Sequence, residues 1–416
     1  MKEMLRSTDA PAKKIGESNL SKLIAWIHLW PSLVSAVILI FVCITGTIVV
    51  YGDEIMAWSA GEAKYVQEIG EERLPVETLI AKLRTELPKY GNPGYAVIYK
   101  DPKRSVRFNM FSRTDGLRMV YVDPYTGKIL KNDASIYFFY ITAHLHNSLL
   151  LGKTGQWIVD IATIIFLIEL LTGLILWWPA KWTKSTRTSS FKVKWNAKFK
   201  RLNYDLHNVI GFYALSICLI LTVTGLIIAF KPLSKLTIEA FGGNASHDWE
   251  ENLPAFDGEK NPADINKTIF TLFAQNPDAQ EAQVATYKID SAGSYGLRLA
   301  RTIGLKSADN AHIYFIDRYS GQAIDAPQEA EMHELVENWY WSLHMGTWMG
   351  QWGKLATFIG GLISTSLPIT GFLIWWGRRK KKGVNRKGIA SNEVVKVSGE
   401  SRVYKPKVLL SRLPRN

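Results

Sequence analysis

Four stretches of the chain, residues 33–51, 157–178, 209–230 and 355–376, are almost unbroken in apolar side chains, and polar residues dominate between them. Each is about as long as the ~20 residues that carry a helix across a bilayer. The pattern therefore predicts an α-helical membrane protein with four spans. The first run exceeds the roughly 7–15 apolar residues of a cleaved signal and lacks a small-x-small cleavage site, so it is read as a retained span. Two polar stretches of about a hundred residues remain. In the first, residues 75–87 have helical periodicity, and 95–99, 106–111 and 119–122 alternate as strands before the turn Asp123-Pro124-Tyr125-Thr126-Gly127-Lys128. The second repeats that order at 263–274, 283–289, 295–299 and 313–316, before Asp317-Arg318-Tyr319-Ser320-Gly321-Gln322. Each stretch is expected to be a small α-β-β-β module closed by a glycine-containing turn.

The spans carry a second pattern. Ile27-His28-Leu29 and Thr45-Gly46 recur at one constant offset as Leu206-His207-Asn208 and Thr224-Gly225. Leu145-His146, Gly152, Thr172-Gly173 and Trp177-Trp178 recur at another as Leu343-His344, Gly350, Thr370-Gly371 and Trp375-Trp376. A helix–module–helix unit written twice keeps its orientation, so the halves should be related by an axis along the membrane normal. The expected organisation is a tail 1–22, a span 23–52, a module 53–138, a helix start and span 139–179, a loop 180–202, a span 203–231, a second module 232–335, a helix start and span 336–377, and a tail 378–416.

Charge orients this layout. The chain has a formal net charge of +13, and the segment 181–201 carries eight Lys or Arg and no acid, while Arg378-Arg379-Lys380-Lys381-Lys382 follows the last span. The positive-inside rule puts both termini and the middle loop in the cytoplasm and the two modules outside. The basic residues are then topology and lipid anchors, and no nucleic-acid partner is expected. Trp177, Trp178, Trp182, Trp375 and Trp376 fit an inner aromatic belt, and Trp157, Trp348 and Trp352 an outer one. Cys43 and Cys218 lie inside spans at inequivalent positions and read as small core residues, and no C-x-x-C-H is present for covalent haem attachment.

The histidines carry the chemistry. Two-fold symmetry lets His28 face His207 at the inner end of the bundle and His146 face His344 at the outer end. Neutral imidazole is the commonest metal ligand, and two facing imidazoles fill both axial positions of a haem iron. The alternative for each is an interfacial packing residue. Gly46 and Gly225 lie roughly 27 Å of helix beyond His28 and His207, near the opposite pair, and Gly173 and Gly371 lie near the inner one. A missing side chain there would admit a flat macrocycle, or simply close helix packing. His144 is two residues from His146, about 200° around a helix, so the two cannot face one iron; it matches Ser342 and is kept as a secondary ligand or proton group. His247, His312 and His333 have no equivalents and are expected to be exposed. Glu169 and Asp160 are acids inside a span, read as a proton relay or a propionate partner at the level of Asp160, with a neutral, protonated, hydrogen-bonded Glu169 as the alternative. Lys103, Arg104, Arg107 and Arg113 could attract an anionic chelate, with a solvated strand face as the plainer explanation. No residue is singled out as catalytic.

With these residues the chain, from Leu23 to Arg379, resembles the PepSY-associated transmembrane family, several of whose members are bacterial inner-membrane ferric-siderophore reductases of the ferrioxamine type. The resemblance lies in Ile27-His28-Leu29-Trp30 leading to Thr45-Gly46, in Leu145-His146-Asn147-Ser148-Leu149-Leu150 leading to Gly155 and Trp157, and in the Asp-x-Tyr-x-Gly turns of modules that look like PepSY domains. Trp30-Pro31 departs from the commonest pattern. The resemblance implies two haem b groups, held by His28, His207, His146 and His344, in an oxidoreductase that reduces a periplasmic ferric siderophore for iron uptake. The chain has no Gly-x-Gly-x-x-Gly dinucleotide motif, so the donor would be a cytoplasmic reductase or a quinol. The competing classes are a membrane-anchored PepSY binding or regulatory protein without redox activity, and a haem carrier serving another periplasmic acceptor.

Overall fold

A computed structural model describes residues 19–246 and 248–392. Helices Asn19–Val49, Gly152–Trp177, Phe199–Ala229 and Thr347–Arg379 are each long and apolar enough to cross a membrane, one for each apolar run. The first span packs against the second and fourth, and so does the third, which leaves the first and third on one diagonal of the bundle. Leu39, Ala162, Phe166, Leu170, Ala214 and Cys218 fill its centre. The first span runs through Pro31 without a break, and the Ser32 and Ser35 hydroxyls donate to carbonyls in the turn around it. Such side-chain bonds offset the ladder bond that proline cannot make. The third span contains a π-helical turn, Leu206–Ile210, which carries His207; single π turns often mark functional positions.

The helix starts expected at 139 and 336 are not continuous with the spans that follow. Ser135–Ser148 ends in left-handed Leu149 (φ 51°) and Gln328–Met345 in left-handed Gly346 (φ 75°), and the spans restart at Gly152 and Gly350. The crossing is so tight that a Cβ on Gly155 would lie 1.8 Å from the Ser148 carbonyl oxygen, and one on Gly353 would lie 2.3 Å from that of Gly346. His146 and His344 therefore stand on short helices of their own.

The polar stretches form a sheet. Strands β1 (Tyr95–Tyr99), β2 (Val106–Ser112), β3 (Gly116–Val122) and β4 (Ile129–Asp133) make one antiparallel meander, and β5 (Glu281–Ala285), β6 (Ser294–Ala300), β7 (His312–Asp317) and β8 (Ala323–Asp325) another. The turns at 123–128 and 317–322 are as expected, with Gly127 and Gly321 left-handed and Asp123 and Asp317 accepting backbone N–H bonds. Each leads into a fourth strand instead of closing a three-stranded unit. The meanders also join: β1 pairs antiparallel with β5, Tyr95 opposite Ala285, so the order is β8-β7-β6-β5-β1-β2-β3-β4 in one eight-stranded sheet. The sequence holds the reason. Residues 95–99 are apolar or aromatic on both faces, which makes an unpaired edge costly. Helices Val76–Glu86 and Asn266–Gln275 cover one face of the sheet, packing Leu79, Leu83, Ile269 and Phe273 on Ile98, Phe108, Val284 and Leu297. The opposite face, through Met119 and Tyr121, rests on Ile136 and Phe139 of the His146 helix. The sheet is thereby fixed to the element that positions a candidate ligand.

Candidate functional site

The bundle brings together the two pairs that symmetry suggested. The ring centres of His28 and His207 are 6.5 Å apart at the loop end of the bundle, and those of His146 and His344 are 6.1 Å apart at the module end. Among the described residues no three His, Cys, Asp or Glu side chains converge, so each candidate centre has two protein donors.

The hydrogen bonds select which nitrogen is available. His28 Nδ1 lies 3.1 Å from Thr172 Oγ1, His207 Nδ1 2.9 Å from Thr370 Oγ1, and His344 Nδ1 3.0 Å from Thr224 Oγ1. Each threonine hydroxyl already points its proton at a carbonyl one turn back, at Ile168, Ser366 and Ile220 respectively. Its lone pair must then accept, so Nδ1 carries the proton. His146 reaches the same state differently, because Nδ1 lies 2.8 Å from the Val42 carbonyl, which can only accept. All four Nε2 atoms are left with a free lone pair, the form a metal requires.

The glycines serve these rings more directly than the sequence suggested. A Cβ on Gly46 would lie 2.7 Å from His146 Cε1; on Gly173, 3.2 Å from His28; on Gly225, 3.2 Å from His344; and on Gly371, 3.3 Å from His207. They make room for the imidazoles themselves, so the expectation of a backbone opened chiefly to a macrocycle is revised. Each histidine is seated on a span of its own half, and each pair takes one histidine from each half.

The module-side pair opens on a cavity of about 600 Å³ lined by Leu39, Val42, Phe166, Leu221 and other apolar side chains, together with His144, Asp160 and Lys306. Burial, reinforced by the neighbouring His146, holds the His344 imidazole down at about 4; burial lowers His146 as well, partly opposed by the Val42 carbonyl. Both are neutral near pH 7. His144 lines the cavity but turns Nδ1 to the Tyr140 carbonyl, 2.9 Å away, and packs tilted against the Tyr140 ring.

The remaining candidates divide. Glu169 is buried, and Ser35 Oγ lies 3.2 Å from its carboxyl. Asp160 is buried on the cavity wall. Cys43 and Cys218 are free thiols, and Cys218 Sγ lies 3.1 Å from Ser364 Oγ. Lys103 and Arg113 are exposed, but Arg104 and Arg107 are not on a solvated face: Arg104 lies 3.8 Å over the Tyr99 ring, and Arg107 donates to the Ile303 carbonyl beneath the sheet. His312 is exposed. His333, expected to be, is 9% exposed and bonds the Asn244 carbonyl, because the helix that carries it packs that face inward; His247 lies outside the described residues. Sequence reasoning used Thr172, Thr224 and Thr370 only as landmarks. Their recurrence beside each glycine was the available sign of their role.

The family model described as "PepSY-associated TM region" matches residues 25–378. No curated protein matches the chain.

Proposed function

The chain belongs to the PepSY-associated TM family, and from that premise and the paired imidazoles we propose a duplicated, two-haem reductase of the bacterial inner membrane, with PepSY-like modules in the periplasm. Its role is to pass electrons from the cytoplasmic side to a periplasmic ferric siderophore. The observation that carries this reading is the common state of the four histidines, with Nδ1–H engaged and Nε2 free, in two facing pairs. Metal–nitrogen bonds of roughly 2 Å, with a ring centre about 1 Å beyond each nitrogen, put two imidazoles on one metal at ~6 Å between centres. The separations of 6.5 and 6.1 Å fit, and so does a donor set of two imidazoles.

Haem held by His28 with His207 and by His146 with His344 would supply one-electron chemistry. The chain's own part is positional. The threonine and Val42 acceptors hold the rings in one tautomer, and the glycines let the spans close on them. The apolar cavity wall keeps water from the module-side pair. Iron leaves on reduction because hard anionic oxygen donors hold Fe(III) far better than Fe(II). A separate cytoplasmic reductase or a quinol supplies the electrons.

Reduced-minus-oxidised spectra with a pyridine haemochrome assay test this. We expect about two b-type haems in the wild type and one in each of His28→Ala and His344→Ala. A colourless wild type from haem-replete cells would sink the reading and favour an anchored binding module.

A further inference from the structure

The two meanders differ most between their second and third strands. Between β2 and β3 the chain turns in three residues, 113–115, whereas between β6 and β7 it runs through 301–311 and forms an extra ribbon, Thr302–Ile303 with Ala308–Asp309. This strap is pinned from both halves. Ile303 N–H donates to Glu281 Oε2 (2.9 Å), and the Ile303 carbonyl accepts from Arg107. Leu305 N–H donates to Asp53 Oδ1 (3.0 Å), and Ala308 exchanges two bonds with the Asn338 amide (2.6 and 2.8 Å). So many fixed points hold its tip, and the tip residue is Lys306.

Lys306 lines the mouth of the module-side cavity, its ammonium 5.3 Å from the centre of the Trp341 ring, and Trp341 packs edge-on to His344 at 6.4 Å. Among the described residues it makes no ion pair. Glu54 and Asp53 are already engaged by Lys354, whose Nζ lies 2.8 Å and 3.7 Å from them, and Glu337 is engaged by Trp341 and His333. Asp160, the one carboxyl on the cavity wall, does not reach Lys306 within ion-pair distance. Lys306 is exposed, and its place over an aromatic face beside an apolar cavity lets it meet an anion that arrives with the cavity's occupant.

We propose that Lys306 binds a carboxylate of the molecule that occupies this cavity mouth, and that the strap exists to hold it there. The inference rests on the haem reading of the module-side pair and deepens it. Two sources offer that carboxylate: the propionate of a resident macrocycle, or an anionic ferric chelate docking at the mouth.

The test uses the full-length protein in detergent as wild type, Lys306→Met, Lys306→Arg and Asp160→Asn, with haem content measured first. Potentiometric titration and the binding of ferric citrate are then read on each. A propionate partner predicts that one of the two haem transitions in Lys306→Met shifts tenfold toward the oxidised form, about 59 mV, with ferric citrate binding unchanged. A chelate partner predicts unchanged potentials and ferric citrate bound about tenfold more weakly. Lys306→Arg retains most of either effect. Made in an Asp160→Asn background, Lys306→Met keeps its effect, whereas abolition of the effect in that double variant would show that Lys306 merely balances that acid. Two haems per chain with neither readout altered in Lys306→Met overturns the proposal and leaves the reductase reading standing. A wild type without haem removes that reading, and ferric citrate binding alone then decides Lys306.

Discussion

At the loop end of the bundle both imidazoles sit on spans, and both are held by threonine hydroxyls of the neighbouring span. At the module end the imidazoles stand on separate short helices, joined to their spans through left-handed residues, and one is held by a main-chain carbonyl. The module-end helices also carry contacts to the sheet: Phe139 packs on its underside, Glu334 pairs with Arg298 of β6, and Asn338 grips the strap. The same ligand chemistry is thus rigid with the membrane bundle at one end and coupled to the outer sheet at the other. Motion of the sheet reaches the module-side imidazoles most directly, through Phe139, Glu334 and Asn338.

Four substitutions sharpen this contrast. Gly46→Ala should have the largest effect, because its Cβ would meet His146 at 2.7 Å, whereas the Gly371→Ala contact with His207 is 3.3 Å. We expect Gly46→Ala to lose one haem of two and Gly371→Ala to keep both, measured by haemochrome stoichiometry; equal loss would erase the difference. Next, Thr370→Val removes the acceptor that fixes His207, and outer partners of metal-bound histidines typically account for about 10–100-fold in affinity. Haem release to an apo-globin acceptor should quicken by that order. Thr45→Val, at the equivalent place beside His146, should change little, since Thr45 bonds only Phe41 and Val42 of its own helix.

The smallest effect lies on the helix of His344. Glu337, 3.6 Å from His333, raises that imidazole above its ordinary value, against the opposing pull of burial. A group whose folded value is raised contributes stability fully below its unfolded value of about 6.5, and loses it as pH rises through the folded value. Thermal melts of His333→Gln should therefore fall below wild type near pH 6 and converge with it toward pH 8. A constant gap would mean that packing, not charge, fixes this helix.

Much of this was legible in the chain because membrane burial and the matched recurrence of histidines leave strong one-dimensional marks. Apolar length gave the spans, and matched recurrence gave the pairing of His28 with His207 and of His146 with His344. The turn glycines Gly127 and Gly321 followed from their need for positive φ. What could not be read depends on contacts distant in sequence. The union of β1 with β5 joins residues from opposite halves, although the unbroken apolar character of 95–99 was a sign that this strand is central. The break before the second span passes through Leu149, a residue with no preference for a left-handed turn, so nothing local announced it, whereas Gly346 before the fourth span is the residue a left-handed helix end favours. Arg104 and Arg107 look like surface residues until the strap and the tyrosines beneath the sheet are in place.

The β1–β5 seam also sets a timetable. In the proposed orientation, when β1 has been translocated its partner has yet to be synthesised, and two spans and a basic loop must be made first. At about 5–20 residues per second that interval is roughly 10–40 s. Throughout it, an apolar strand edge waits outside the membrane, a state that invites pairing with other chains. Maturation of the first half is therefore hostage to the second, and a ribosome that stalls in the middle loop leaves behind a membrane-anchored fragment with an adhesive edge.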